Sequence, residues 1–548
     1  MKSIKKQLSL CLVLLLITSG AIAQSLSSRI DALMSEKYPD DGPGATILVA
    51  KEGKTLYRNA FGKANLELAV PMKPENIFEI GSITKQFTAV SILMLEEQGK
   101  LSVTDKLSKY LPEYPKADDI TIHHLLNHTS GIKSYTEMGD LNSFARNDKT
   151  PIELIDFFKN EPMDFEPGEQ WHYNNSGYII LGHIIELVSG ESYEEYVQTN
   201  IFDKLGMKNS FYGSKSRLIK NRANGYMPSE NGFRNADYIS MSLPYAAGSL
   251  MSCVDDMLKW HTAVHSNSLI SAKSKAKAHS NTTLNNGKTT NYGYGWQIDL
   301  ISDVPSIEHG GGIFGYVTQG VYIPSENVYV IVLTNANGNS PQEVTVEIAA
   351  MAMGKPLPSV NDAITLARNE MEQWVGKYLF EGDVIRTISF ENGSLYSQRE
   401  GSERLKIFPV GKTAFQFEDS FTKYEFSMEA GKKIAMFQSR IIKSKGVETD
   451  KKSTSEKEGI TLSSDILEQY VGTYELQPGL ELVISVKGTQ AFGDLTGQQQ
   501  VEIFAEAKDE FFLKVVPAKL TFGRDESGNV NAVTLKQGGR EMLGKKKS

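Results

Sequence analysis

The chain has 548 residues, with 58 basic against 66 acidic side chains and a formal net charge of −8. Aromatic residues at 9% and charged residues at 23% are ordinary globular values, which exclude bulk disorder and fibrous structure. At about 150 residues per domain the length implies two to four domains, and the acidic balance argues against a nucleic-acid partner.

The N-terminus carries Lys2, Lys5 and Lys6, an apolar run from Leu8 to Ile17, then Ala21-Ile22-Ala23 before Gln24. This is the pattern of a secretory signal peptide at residues 1–23, cleaved after Ala23, and it predicts a secreted or periplasmic protein. The run is shorter than the ~18 apolar residues of a membrane span, and no later stretch is long enough to span. An uncleaved anchor is the alternative reading. Cleavage would remove three lysines and no acid, leaving 55 basic against 66 acidic side chains. Of the two cysteines, Cys11 and Cys253, only the second would remain, so no disulfide could form within the mature chain.

Residues 45 to 62, ATILVAKEGKTLYRNAFG, alternate around a Glu52-Gly53 turn and predict a hairpin. Helical periodicity follows from Ser82 to Gln98 and recurs at Ile152 to Lys159, Ser176 to Leu187, Tyr193 to Ile201 and Val254 to His265. Ser252, with Asp255 and Asp256 in the first turn of the last of these, reads as helix capping and dipole compensation. Val328 to Thr334 is a nearly all-apolar strand. Residues 24–358 thus form a first domain that mixes helices and strands.

Beyond Pro358 the texture changes to short strands and turns, and it repeats. EQWVGKY (Glu372 to Tyr378) returns as EQYVGTY (Glu468 to Tyr474), 96 residues later. The same offset pairs Ile388 with Ile484, Tyr396 with Phe492, Ile407 with Ile503, Phe408 with Phe504, Phe415 with Phe511 and Phe426 with Phe522. A register kept across apolar positions predicts two copies of one all-β unit, at 370–447 and 464–548, each a small antiparallel barrel or sandwich. The charged segment between them, 448–463, reads as a linker. Neither copy gathers a serine, a histidine and an acid, so both read as non-catalytic.

Ser82 and Lys85 stand three apart in FEIGSITKQF, where an apolar run ends at Gly81 and a helix begins. Side chains at i and i+3 of a helix are neighbours, so a neutral amine there can take the hydroxyl's proton. The spacing alone is unspecific: Ser3/Lys6, Ser130/Lys133, Ser274/Lys277 and Ser420/Lys423 share it, but only Ser82 has the preceding glycine, the strand-like run and the following helix. An ordinary helix N-cap is the alternative. Two further elements support the catalytic reading. In WHYNNSGY, Tyr173 and Asn175 flank Asn174 directly before a helix, where a phenol can relay a proton and an amide can hold a carbonyl. In EHGGGIFGYVTQGVYI, His309 and three glycines lead into a strand whose backbone N–H groups can approach a ligand.

In these motifs, with HHLLNHTSGI (His123 to Ile132) and SLMSCVDDMLKW (Ser249 to Trp260), the chain resembles the penicillin-recognising serine hydrolases. Its closest likeness is to the class C β-lactamase-like group of esterases, D-amino-acid peptidases and carboxypeptidases. The resemblance covers roughly residues 27 to 358. It implies an α/β (α+β) three-layer domain with a central antiparallel sheet, followed, in a layout similar to D-aminopeptidases, by two lipocalin-like barrels. It also implies Ser82 as acylated nucleophile, Lys85 as proton acceptor and Tyr173 as the relay that later activates water. Asn175 would touch the substrate amide. His309, Gly310 and Gly311 stand where many members have Lys-Thr-Gly, and the N–H groups of Ser82 and Gly312 would form the oxyanion hole. A histidine in place of that lysine removes a fixed positive charge for a substrate carboxylate, which argues against true β-lactamase activity.

His124 and His128, at i and i+4 beside His123, could hold zinc, yet no acidic or cysteine partner lies nearby. No metal or cofactor is therefore expected. The expected partner is a small-molecule or peptide substrate, and the sequence leaves the oligomeric state open. The leading expectation is an exported serine hydrolase that cleaves an amide or ester bond through an acyl-serine intermediate, of the D-amino-acid peptidase, carboxypeptidase or esterase kind. Acyl transfer through the same intermediate, or penicillin binding without turnover, are the competing functions.

Overall fold

The computed structural model describes residues 26–547 except 140–143, 359, 419, 453–456, 478–479 and 538–539. The predicted signal peptide and the middle of the predicted linker lie outside the described residues. The chain divides into two compact units, Met1–Pro356 and Leu357–Ser548.

The first unit is built on a six-stranded antiparallel sheet. Its strands are β1 (Ala45–Lys51), β2 (Lys54–Phe61), β3 (Gln297–Ile301), β4 (Val304–Ile313), β5 (Tyr316–Ile323) and β6 (Val328–Thr334), in the order β3-β4-β5-β6-β1-β2. The predicted 45–62 hairpin is β1 and β2, turning at Glu52 and Gly53, both with positive φ. All seven residues of β6 are buried. Successive strand side chains point to opposite faces, so both faces of the sheet are covered. Among its helices are α1 (Thr84–Glu97), α2 (Asn175–Ser189), α3 (Val254–His265) and α4 (Gln342–Ala352). The sheet packs on α3 through β1 and β6 and on α4 through β5 and β6, giving three layers. Helix α1 is buried from Thr84 to Leu95, as an element enclosed by others must be. The Phe87 ring of α1 stacks on Trp260 of α3 at 3.8 Å.

The aspartates of α3 do more than the local pattern implies. Cys253, not Ser252, occupies the N-cap position, without a side-chain bond. Asp255 takes both guanidinium arms of Arg58 on β2 at 2.7 Å, and Asp256 is fully buried, accepting from the Asn209 N–H and Lys259 at 2.7 Å. These contacts fasten the helix to its neighbours across the fold.

In the second unit each repeat closes into an eight-stranded barrel, from Gly376–Leu379 to Ile442–Glu448 and from Gly472–Gln477 to Arg540–Lys546. The 96-residue offset is a structural register: Gly376 pairs with Ile388 as Gly472 with Ile484, and Phe415 with Tyr424 as Phe511 with Leu520. The repeated aromatic motif has one task in both copies. The Tyr378 hydroxyl donates to the Trp374 carbonyl at 2.6 Å and the Tyr474 hydroxyl to the Tyr470 carbonyl at 2.7 Å, tying the chain's entry to the first strand. Phenylalanine at either position leaves a buried carbonyl without its donor, with an expected destabilisation of about 1–3 kcal/mol, read as a lower urea midpoint for that barrel.

The interiors differ where the frames agree. In the first barrel the Arg386 guanidinium lies 3.9 Å from the Phe437 ring centroid and the Ser397 and Tyr424 hydroxyls meet at 2.8 Å. The matching positions of the second barrel are Leu482, Leu535, Gly493 and Leu520, which line a cavity of about 40 Å³. All nine histidines of the chain lie in the first unit. Among the described residues no helix is long and apolar enough to cross a membrane.

Candidate active site

The apolar run before Ser82 forms a short strand, Phe78–Glu79, paired with Met251 and Ser252, and the Ile80 N–H donates to the Leu250 carbonyl at 2.9 Å. At Gly81 the chain turns with φ +52° into a 3₁₀ turn, Gly81–Ile83, that continues as α1. A Cβ on Gly81 would lie 2.8 Å from the Gly312 nitrogen, and one on Gly311 would lie 2.0 Å from the Ile80 carbonyl oxygen. The serine turn and the glycine edge of β4 are therefore in backbone contact. That edge is available because β3 pairs with β4 only as far as Glu308. The Thr318 hydroxyl on β5 donates to the Ile80 carbonyl at 3.0 Å and locks the junction.

Lys85, on the first turn of α1, is completely buried. Its Nζ lies 3.0 Å from Ser82 Oγ, 2.8 Å from Asn175 Oδ1 and 2.8 Å from the Ala247 carbonyl. Burial drives its pKa well below that of an ordinary lysine, and no carboxylate opposes the shift. A neutral amine has two N–H donors and one lone pair. The two carbonyl-type acceptors take the donors, and the lone pair is left for the Ser82 proton. The rival pairs are of another kind. Lys133 lies 3.2 Å from both Glu137 and Asp164, and Lys277 lies 2.8 Å from Glu96, so each amine faces a carboxylate.

Tyr173 and Asn175 enter from the start of α2, where Asn174 caps the helix by accepting from the Gly177 N–H at 2.8 Å. The Tyr173 hydroxyl is buried next to Ser82. Burial raises its pKa and the Ser82 hydroxyl counteracts this in part, yet the phenol makes no hydrogen bond of ordinary geometry. It is a protonated phenol at neutral pH, and its ring centroid lies 4.9 Å from Lys85 Nζ. Asn175 gives its oxygen to Lys85 and its Nδ2 donates to Thr136 Oγ1 at 3.0 Å.

His309 is placed differently from a residue that meets substrate. Its ring is buried: Nδ1 donates to the Gly310 carbonyl at 2.6 Å, and Nε2 therefore accepts from the Tyr292 hydroxyl at 2.8 Å. Burial pushes its pKa down to about 3, so the ring is neutral. Gly311 is spent on the contact with Ile80, whereas Gly312 is exposed and borders the pocket.

That pocket, of about 140 Å³, opens over Ser82 between Asn175, Gly248 and Gly312. Four contributors were not legible in the motifs. The Ala247 carbonyl and Thr136 are described above, and their only sequence signal is proximity to the family-like segments. His128, of the HHLLNHTSGI segment, accepts from the Asn174 N–H at 3.1 Å and lies 4.4 Å, centroid to centroid, from the Tyr173 ring. Tyr292 packs against the same histidine at 4.7 Å. His123 meets Tyr294 and Asn127 while His124 Nδ1 caps Thr121, so the three histidines do not converge.

A three-layer fold with a serine, a buried lysine of lowered pKa and a tyrosine at its sheet edge fits the serine hydrolases built on this architecture. Residues 30–352 match the Beta-lactamase family model, and the chain belongs to that family. Residues 456–546, containing the second barrel, match a domain of unknown function, DUF3471. Penicillin-binding protein 4* of Bacillus subtilis is 30% identical over 431 residues, 74% of this chain and 94% of the relative. A D-aminopeptidase of Gluconobacter oxydans is 27% identical over 343 residues, 61% of this chain and 64% of the relative. Among solved structures, the octameric penicillin-binding protein homologue from Pyrococcus abyssi matches with TM-score 0.54 and 28% identity, over 76% of this chain and 99% of the other. The D-amino acid amidase of Ochrobactrum anthropi, with TM-score 0.54 and 22% identity over 60% of this chain and 99% of the other, shares the fold.

Proposed function

We propose that this protein is an exported hydrolase that cleaves an amide or ester bond through an acyl intermediate on Ser82. The observation that carries the reading is the Lys85 amine, buried, unopposed by carboxylates and aimed at Ser82 Oγ at 3.0 Å. The N-terminal lysines, the apolar run from Leu8 to Ile17 and the small residues Ala21 and Ala23 support export.

Ser82 Oγ attacks the substrate carbonyl as its proton passes to Lys85 Nζ. The new ammonium keeps Asn175 Oδ1 and the Ala247 carbonyl as acceptors and gains the faces of Tyr173 and Tyr178, 4.9 and 5.4 Å away. Charge on the carbonyl oxygen falls to the N–H groups of Ser82 and Gly312. Tyr173 gives its proton to the departing nitrogen or oxygen and recovers one from Lys85. The acyl group then rests on Ser82, and water enters by the reverse path: Tyr173 passes its proton to Lys85 and takes one from the water as the water oxygen bonds to the acyl carbon, the acyl–Oγ bond breaks, and Lys85 returns its proton to Ser82 Oγ. His309 acts from behind, holding the glycine edge through Gly310.

A fluorophosphonate probe is expected to label the wild-type protein at Ser82 and to leave Ser82→Ala unlabelled, as read by peptide mass spectrometry. Equal labelling of the two would sink the assignment.

A further inference from the structure

The pocket over Ser82 has a composition that narrows the substrate. Its walls are Tyr135, Ala145, Ile239, Leu243, Ile313 and Phe314. Four of these are buried and the last two half-buried, so the wall they form is apolar, while Thr136 and Gly312 at the mouth are exposed. No charged side chain lines it among the described residues. Its polar groups, Thr136 Oγ1 and Asn175 Nδ2, are neutral and bonded to each other at 3.0 Å.

Glu137 and His309, two titratable groups near the pocket, are engaged elsewhere. Glu137, next to Thr136, pairs with Lys133 at 3.2 Å and His172 at 2.9 Å. His309 is buried, with both ring nitrogens taken by Tyr292 and Gly310. A carboxylate or an ammonium on the acyl group would therefore lie against an apolar wall with no counter-charge lining the pocket among the described residues, at a cost in lost hydration. The size is also informative. At about 140 Å³ the pocket is close to the roughly 150 Å³ aliphatic cavity that accommodates benzene.

Resting on the acyl-serine reading above, the geometry points to an uncharged, apolar acyl group, benzene-sized or a short alkyl chain, with neither a free carboxylate nor a free amine on it. The protein is thus an esterase or amidase for neutral acyl groups. Leu243, buried in the wall, is a specificity-determining residue.

The test is a series of 4-nitrophenyl esters of equal chain length, offered to the purified protein: butyrate, hemisuccinate and 4-aminobutyrate. The expected result is a kcat/KM for butyrate at least tenfold above either charged ester. A smaller gap for either one, in protein that the fluorophosphonate probe labels at Ser82, overturns the inference while leaving the hydrolase standing. Loss of both labelling and turnover removes the hydrolase reading itself, and the pocket assignment with it. Leu243→Arg provides a second readout: the ratio of hemisuccinate to butyrate turnover is expected to rise at least tenfold, and an unchanged ratio in folded variant counts against the wall.

Discussion

Lys85→Arg is expected to lower kcat/KM by on the order of 10⁴-fold or more, because an arginine stays protonated and cannot accept the Ser82 proton. The wild-type pH profile is the companion measurement. The base works only when neutral, so activity is present above the Lys85 pKa and lost as pH falls through it. Burial places that limb well below the usual lysine range. Tyr173 is shifted the other way and keeps its proton through neutral pH, and His309, held near 3, adds no inflection between pH 5 and 8. Stability follows the same sign. Below the ordinary lysine pKa the unfolded chain binds a proton that the folded chain does not, so the buried amine weakens the fold most at low pH. Lys85→Met, inactive, is expected to raise the thermal midpoint at pH 7 relative to wild type. A titration limb insensitive to the loss of Lys85 would contradict this account.

Gly311→Ala is the second large effect. Its Cβ would lie 2.0 Å from the Ile80 carbonyl oxygen and 2.4 Å from Thr318 Oγ1, and neither backbone can yield without moving Ser82 or Gly312. A loss of roughly 10²–10³-fold in kcat is expected, the size associated with one oxyanion-hole donor, with about 1–3 kcal/mol of stability from overpacking. Gly312→Ala is the control, since a Cβ there meets nothing within 4 Å. Steady-state kinetics and thermal denaturation of the pair separate crowding at the junction from any general intolerance of the strand.

Much of this site was legible in the chain because its parts are local motifs. Ser82 and Lys85 share a helix turn, Tyr173 and Asn175 a helix start, and His309 to Gly312 a strand edge. Spacing alone does not rank one serine–lysine pair against another; the glycine, the apolar run and the helix around Ser82 do, without saying why its amine differs from the others. The difference lies in the lysines' partners, and those are remote: Glu96 for Lys277, Asp164 for Lys133, the Ala247 carbonyl for Lys85. His309 illustrates a second limit. Its identity pointed to a missing positive charge, but only the fold shows that Tyr292 and Gly310 occupy its ring. Asp255 and Asp256 were read through their own helix, whereas their partners are Arg58 and the 209–210 loop. The barrels were readable for the opposite reason, since strand pairing keeps a fixed register and duplication copied it intact.

The unequal interiors of those barrels have an evolutionary meaning. Closing a sheet on itself satisfies every strand's backbone, so the frame survives while its filling is exchanged, provided the volume stays roughly matched. Tyr378 and Tyr474 preserve the memory of a single ancestor. At the positions of Arg386 and Leu482 the two copies now hold different contents, a cation against an aromatic ring in the first and leucines around a small cavity in the second.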